Sequence, residues 1–155
     1  MKMLFALITI SLLPSCAKES ITIYYAYLKN TTIHKIEMKP YFSGVVRNDK
    51  VITLLAGDVK QIADGSYRGI GNQAIFLSEY MTGADSLVVV FDDMFPITHY
   101  GITPPSTAPK YYLFISDRNV GNSKNYQLET RDVNKHKREN TFTFDFIEQD
   151  YLDAR

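Results

Sequence analysis

The sequence lacks tryptophan and has a single cysteine, Cys16, among its 155 residues. One cysteine cannot form an intramolecular disulfide, so the fold must be held together by its packed core. Charge of one sign is also lacking, because 17 basic residues are matched by 17 acidic ones. A chain with no surplus of positive charge has no bulk attraction to nucleic acid. We therefore predict no nucleic-acid partner.

A hydrophobic run long enough to cross a membrane is missing from the amino terminus. The apolar stretch from Leu4 to Leu13 is broken only by Thr9 and Ser11. As a helix it would span ~15 Å, about half of a bilayer core. A basic residue, Lys2, precedes it. A charged start followed by a short apolar segment is typical of a secretory signal peptide.

The apolar run ends in Leu12-Leu13-Pro14-Ser15-Cys16. An ordinary signal peptide ends in a small-x-small cleavage site, whereas these residues resemble a bacterial lipobox. The resemblance implies cleavage before Cys16, lipidation of its thiol and acylation of the new amino terminus. Pro14 is a less usual occupant of that motif. The alternative is an ordinary secretion signal with a cysteine at this position by chance.

We expect three segments in the chain. Residues 1–15 form the signal peptide, 16–20 the lipidated cysteine and a short tether, and 21–155 a single domain. Cleavage would leave 140 residues with a net charge near −1, enough for a hydrophobic core. No aspartate follows Cys16, so the inner-membrane retention signal is absent. The expected location is the bacterial envelope, at the outer membrane, with the lipid as the membrane contact.

The aromatic residues are typical of a sheet protein. Eleven tyrosines and nine phenylalanines favour strands, as do the alternating segments. The fold class we predict is an all-β antiparallel sandwich, immunoglobulin-like or similar, with seven to nine strands, and a small barrel is the alternative. The predicted strands are 21–28, 33–38, 51–55, 86–91, 96–100, 111–115, 126–130 and 141–147.

The sequence also predicts how several of these segments are arranged. The first two strands are expected to form an antiparallel hairpin, and Pro40 to end the pairing or mark an edge. Strand 86–91 is apolar throughout and should be central. The phenylalanines of 141–147 should face the core, and 148–155 should form a closing helical turn. We expect a strand fragment with loops at 58–72, a strand or short helix at 74–80, a turn-rich segment at 117–125 and a charged loop at 131–140.

Taken together, these segments resemble the small envelope lipoproteins of the Bacteroidota. The resemblance is carried by the lipobox and by four further segments: the aromatic first strand followed by Asn30-Thr31-Thr32, the stretch from Asp85 to Asp93, Phe142-Thr143-Phe144, and Glu148-Gln149-Asp150-Tyr151. It implies an outer-membrane or surface location. It implies no activity and no catalytic residue.

Catalytic chemistry has few candidates. The histidines His34, His99 and His136 lie in separate segments, without the spacing of a zinc site. Asp92, Asp93 and His99 could converge across a hairpin as a divalent-cation or glycan-active site, and a solvated turn is the alternative. The segment that begins at Asp117 fails as a calcium loop, because Asn122 and Leu128 replace the required glycine and glutamate. We predict no catalytic residue, no metal ligand and no cofactor.

Two sets of side chains are candidates for ligand contact. Lys135, Lys137 and Arg138 form a basic patch that could touch anionic glycans or lipid headgroups. The tyrosines that flank the long loops could form a stacking platform for a sugar or peptide: Tyr67, Tyr100, Tyr111 and Tyr112. A solvated loop and ordinary packing are the alternatives. The sequence thus predicts a non-enzymatic, lipid-anchored binding or assembly module with an envelope protein or glycan as partner. An envelope enzyme that uses Asp92, Asp93 and His99 is the second hypothesis.

Overall fold

The computed structural model describes residues 19–72, 84–101 and 109–155. More than half of these residues lie in strands. The strands are β1 Ile21–Asn30, β2 Ile36–Phe42, β3 Val45–Val46, β4 Ile52–Leu54, β5 Val59–Arg68, β6 Ser86–Phe91, β7 Phe95–Tyr100, β8 Tyr111–Tyr112, β9 Gln127–Asn134 and β10 Lys137–Phe146. Within these ranges one α-helix, α1, spans Glu148–Ala154, and single 3₁₀ turns lie at Asn48–Lys50 and Ser123–Asn125.

The first sheet has four strands in the order β5-β1-β10-β9. Its two central strands, β1 and β10, pair in parallel over ten residues each, from Ile21 opposite Lys137 to Asn30 opposite Phe146. β5 and β9 pair antiparallel with them at the two edges. The first and last strands of the domain therefore lie side by side at the centre of one sheet.

The second sheet has six strands. Its order is β3-β2-β6-β7-β8, and β4 pairs with the same edge of β2 as β3. β6 is central between β2 and β7 and joins β7 through the turn at Asp92 and Asp93. β8 pairs with β7 in parallel.

One hydrophobic core lies between the two sheets. Alternate residues of β1 and β10 face it, and Ala26, Leu28, Phe144 and Phe146 have no exposed surface. The second sheet contributes its own alternate residues: Ile36, Met38, Leu87, Val89, Phe91 and Ile97. Burying large apolar side chains of this kind contributes about 1.5–3 kcal/mol each. This cluster therefore supplies the stability that no disulfide provides.

The all-β sandwich predicted from the sequence is confirmed, and the two sheets do not close into a barrel. The predicted strand directions were wrong in part, because the β1–β10 and β7–β8 pairs are parallel and both sheets are mixed. The described part of the chain has ten strands, more than the seven to nine expected. The two strands missing from the predicted list are β3, which is too brief to show an alternating pattern, and β5, which was expected only as a strand fragment.

The predicted opening hairpin was wrong, since β1 and β2 belong to different sheets. Asn30 is the last residue of β1, and it is fully buried. Its amide nitrogen donates to the carbonyls of His34 and Leu54 at 2.7 and 3.3 Å. Its amide oxygen accepts from the backbone N–H and the hydroxyl of Thr32. This buried amide directs the chain from one sheet to the other.

Pro40 lies within β2 opposite Leu87 of β6 and does not end the strand. Its carbonyl accepts from the N–H of Arg47 on the other side of β2. Because the N–H and C=O of a strand residue point to the same side, the proline nitrogen faces the gap between β3 and β4. The missing donor therefore costs no ladder hydrogen bond with β6.

Two segments have more strand than the sequence analysis expected. Residues 131–140, expected as a charged loop, complete β9 and begin β10, where the charged side chains pair across the strands. Within 58–72, β5 runs for ten residues through Gly65. A Cβ atom at Gly65 would lie 2.5 Å from the hydroxyl oxygen of Tyr24, so glycine is needed there for the Tyr24 ring to cover the strand.

The remaining predictions have mixed outcomes. The central position of β6, its pairing with β7, the inward phenylalanines of β10 and the closing helix are confirmed. The strand predicted at 111–115 ends at Tyr112. The segment predicted as a strand or short helix at 74–80 lies outside the described residues.

Candidate functional site

The expected lipidation site, Cys16, lies outside the described residues. Within the described part of the chain, no helix is long and apolar enough to cross a membrane. The chain enters the first sheet at Ser20 and Ile21. The Ser20 carbonyl accepts from the N–H of Gly69 at 2.8 Å, and the N–H of Ile21 donates to the carbonyl of His136 at 2.8 Å. We call this end of the first sheet, formed by Ile21, residues 69–72 and the β9–β10 turn at 134–137, the tether end.

The predicted basic residues lie at the tether end and are partly paired. Arg138 donates to both carboxylate oxygens of Asp132 at 2.7 and 3.2 Å. Lys137 lies 3.1 Å from Glu139, which also binds Arg131. Among the described residues, Lys135 has neither a hydrogen bond nor an ion pair, and it is exposed. Net positive charge therefore remains at Lys135 and on Arg131 and Lys137, two cations that share the single carboxylate of Glu139.

The four candidate tyrosines do not form one platform. Tyr100 and Tyr111 meet edge to face, with ring centroids 6.1 Å apart. Tyr112 turns inward, where its ring meets that of buried His99 at 5.1 Å and its hydroxyl donates to Asp153. Tyr67 belongs to the other sheet and stacks on Tyr24. A tyrosine platform is thus reduced to the pair of Tyr100 and Tyr111.

Asp92, Asp93 and His99 do not converge. The two aspartates form the β6–β7 turn, whereas His99 lies near the other end of β7, opposite Leu87. His99 is buried, and its Nδ1 accepts from the N–H of Val120 at 3.0 Å. Burial lowers the pKa of His99 to about 3. The hypothesis that these three residues share a site requires a proximity that the structure contradicts.

Asp92 instead binds His34, from the turn before β2. His34 Nδ1 lies 2.6 Å from Asp92 Oδ2, and His34 Nε2 lies 3.4 Å from a carboxylate oxygen of Glu148 in α1. The imidazole stacks on the Tyr151 ring at 3.6 Å between centroids, and its side chain is 14% exposed. The hydrogen bond from His34 lowers the pKa of Asp92 below its ordinary value. The cluster joins three parts of the chain, and the sequence analysis did not bring these residues together.

Three asparagines order the segment that follows β8. The side-chain amide nitrogens of Asn119, Asn122 and Asn125 donate to the carbonyls of alternate residues, Tyr112, Phe114 and Ser116, at 3.1, 2.8 and 2.8 Å. Their backbone N–H groups form successive turns. We call this arrangement the asparagine ladder. The sequence signal was the spacing of the asparagines by three residues, which predicts turns but does not identify the carbonyls they bind.

The asparagine ladder supports a short apolar protrusion. Leu113, Phe114 and Ile115 are consecutive and exposed, Ile115 by 82%. Asn122 binds the carbonyl of Phe114 within this segment, and Asn119 and Asn125 bind the carbonyls of the flanking residues, Tyr112 and Ser116. An apolar segment with an ordered backbone loses little conformational entropy when it contacts a partner. We name Leu113–Ile115 the apolar tip. The sequence analysis had assigned it to a strand.

Metal binding has no candidate in this part of the chain. No group of three or more histidine, aspartate or glutamate side chains in 19–72, 84–101 and 109–155 is placed to hold an ion. No family model, no curated protein and no solved structure gives a significant match to this chain. The fold is that of a β-sandwich with two mixed sheets.

Proposed function

We propose that this protein is a lipid-anchored, non-catalytic binding or assembly module of the bacterial cell envelope, held at the outer membrane. The observation that carries the proposal is the sequence Leu12-Leu13-Pro14-Ser15-Cys16 close before the first strand of the domain. Only four residues separate Cys16 from Ile21. Several acyl chains, each gaining ~0.8 kcal/mol per buried CH₂, would hold such a domain stably at a bilayer.

The apolar tip supports the binding part of the proposal. Leu113, Phe114 and Ile115 are exposed, so packing in the core does not explain why they are apolar. The asparagine ladder fixes the backbone beneath them. Apolar residues on an ordered backbone are the kind of group that anchors a protein–protein interface. The partner that fits best is an envelope protein with an apolar pocket.

The anchor is tested by intact mass and membrane fractionation of the full chain in a host that processes lipoproteins. We expect the mature chain to begin at Cys16, to carry a lipid-sized mass increment and to sediment with membranes. Cys16→Ala should lose the increment and the membrane retention together. A soluble, unlipidated wild-type product would overturn the proposal.

The binding role is tested by photo-crosslinking from the apolar tip in the same host. A photoreactive residue at Ile115 should give a discrete adduct, and an excess of the unlabelled protein should reduce the yield of that adduct. Ile33 is the matched control, because it is also an isoleucine, 85% exposed, and lies in the turn before β2. The same adducts from both positions, or none from Ile115, would contradict a partner at the apolar tip.

A further inference from the structure

We infer that the tether end of the sandwich is a contact surface for anionic lipid headgroups, with Lys135 as its principal cation. The inference rests on the proposed lipid anchor, which fixes the end of the domain that approaches the bilayer. The four residues from Ser20 back to Cys16 span at most ~14 Å. The tether end must therefore stay close to the headgroups.

The β9–β10 turn lies at the same place as the start of the tether. Ile21 pairs with Lys137, and its N–H donates to the carbonyl of His136. These backbone contacts belong to the parallel pairing of β1 and β10, so the turn cannot swing away from the tether. A membrane that holds Cys16 is thus presented with the β9–β10 turn.

Charge is distributed unevenly along the sandwich. Five cationic side chains lie at the tether end or in the strand residues next to it, which are Arg68, Arg131, Lys135, Lys137 and Arg138. They face three carboxylates, which are Glu19, Asp132 and Glu139. The chain after Cys16 has more acidic than basic residues overall, so the rest of the domain is negative. An anionic surface attracts the tether end and repels the remainder.

A shallow depression at the tether end suits a phosphate group. It encloses about 220 Å³ and is lined by Ile70, Asp132, Asn134, Lys135 and Arg138. Asp132 is neutralised by Arg138, which leaves the ammonium of Lys135 as the unpaired charge beside it. Ile70 and Val133 are both exposed nearby and can meet the apolar side of the headgroup layer. The ligand is therefore a lipid phosphate at the bilayer surface.

The test uses the chain from Cys16 onward, made without lipid and coupled through its only thiol to a maleimide lipid in vesicles. Lysine acylation by a water-soluble reagent is then measured by mass spectrometry at each site. We expect the reactivity of Lys135 to fall about threefold or more on vesicles containing phosphatidylglycerol, relative to phosphatidylcholine alone, and to recover at high salt. Lys60, which lies opposite Leu28 far along the first sheet, is the control and should not change.

Equal reactivity of Lys135 on both vesicles would overturn the inference, as would equal protection of Lys60. A second measurement uses sedimentation of the uncoupled chain with the anionic vesicles. Lys135→Glu should weaken binding at least about fivefold, whereas Lys60→Glu should not. Equal effects of the two substitutions would contradict a specific surface. Chemical coupling replaces lipidation in cells, so these results are independent of whether the proposed anchor is confirmed.

Discussion

Asn30 is the residue at which the chain leaves one sheet for the other. Its buried amide satisfies the carbonyls of His34 and Leu54 and the N–H of Thr32. An apolar replacement would remove this partner from the Leu54 carbonyl and the Thr32 N–H, and it would leave the His34 carbonyl with only a 3.5 Å contact from the Thr32 hydroxyl. The energetic importance of Asn30 lies in the partners that would be left unpaired.

Replacing Asn30 by alanine should therefore lower the free energy of unfolding by about 2–4 kcal/mol. Asn48 is the matched control, because it is exposed and its side chain forms no hydrogen bond with a described residue. Asn48→Ala should change stability by less than about 0.5 kcal/mol. Urea unfolding of the two variants measures the difference. Equal stabilities would contradict the role assigned to Asn30.

His99 gives the domain a specific sensitivity to acid. Its folded pKa of about 3 lies below the ordinary value, because the ring is buried. Between about pH 6.5 and pH 3 the unfolded chain binds a proton at His99 that the native state does not. Stability therefore falls as the pH falls through this window.

We expect this single residue to remove up to ~3 kcal/mol of stability between about pH 7 and pH 4. His99→Asn keeps a side-chain acceptor for the Val120 N–H but cannot take up a proton, so its stability should depend less on pH over that range. Chemical unfolding at a series of pH values measures both profiles. Parallel profiles for wild type and His99→Asn would contradict the assignment.

At the scale of elements, the ends of the sandwich are closed by side chains from loops. Arg118, from the segment held by the asparagine ladder, donates to both carboxylate oxygens of Asp150 in α1 and to the carbonyl of Asp145. Its guanidinium also lies 4.7 Å from the centroid of the Phe144 ring. Asp150 accepts from the N–H of Ile147 as well, so one buried carboxylate both begins α1 and docks it.

Breaking this pair should be costly because the side chain of Asp150 is only 3% exposed. Arg118→Met is expected to lower the free energy of unfolding by about 2–4 kcal/mol. Arg47 makes the same two-pronged contact with Asp49 at the surface, and Arg47→Met should cost less than about 1 kcal/mol. Thermal unfolding of both variants gives the comparison. A similar loss from each would show that burial of Asp150 is not the cause.

The sequence could predict elements whose pattern is local. Strand β6 and the phenylalanines of β10 follow from apolar runs and alternation, and the β6–β7 hairpin follows from a short turn between two such runs. It could not predict that β1 pairs with β10, because their partners are more than a hundred residues apart and no local pattern records the pairing. The same limit explains why His34, Asp92 and Tyr151 were not recognised as neighbours.

At the scale of the whole molecule, the first and last strands form the centre of the first sheet. β1 contributes Ala26 and Leu28 to the core, and β10 contributes Phe142, Phe144 and Phe146. Without β10, the inner face of β1 would lose its neighbour and β9 would have no partner. Neither edge strand can compensate for that loss.

Removal of residues 135–155 should abolish cooperative unfolding and leave no protease-resistant core. Removal of residues 1–20, a segment of similar length, should leave a folded domain, because β1 begins at Ile21. Limited proteolysis and near-ultraviolet circular dichroism distinguish the two products. A folded domain without β10 would contradict the central role of the β1–β10 pair.

The parallel pairing of β1 with β10 also means that folding can finish only after β10 has been synthesised. A ribosome releases β1 early and β10 last, so the centre of the first sheet stays incomplete until nearly the whole chain has been synthesised. Secretion channels accept chains that have not yet folded. Because the first sheet cannot form before β10 has been synthesised, the chain stays unfolded and able to enter such a channel throughout translation. The order of strands along the chain thus suits the export that the proposed lipid anchor requires.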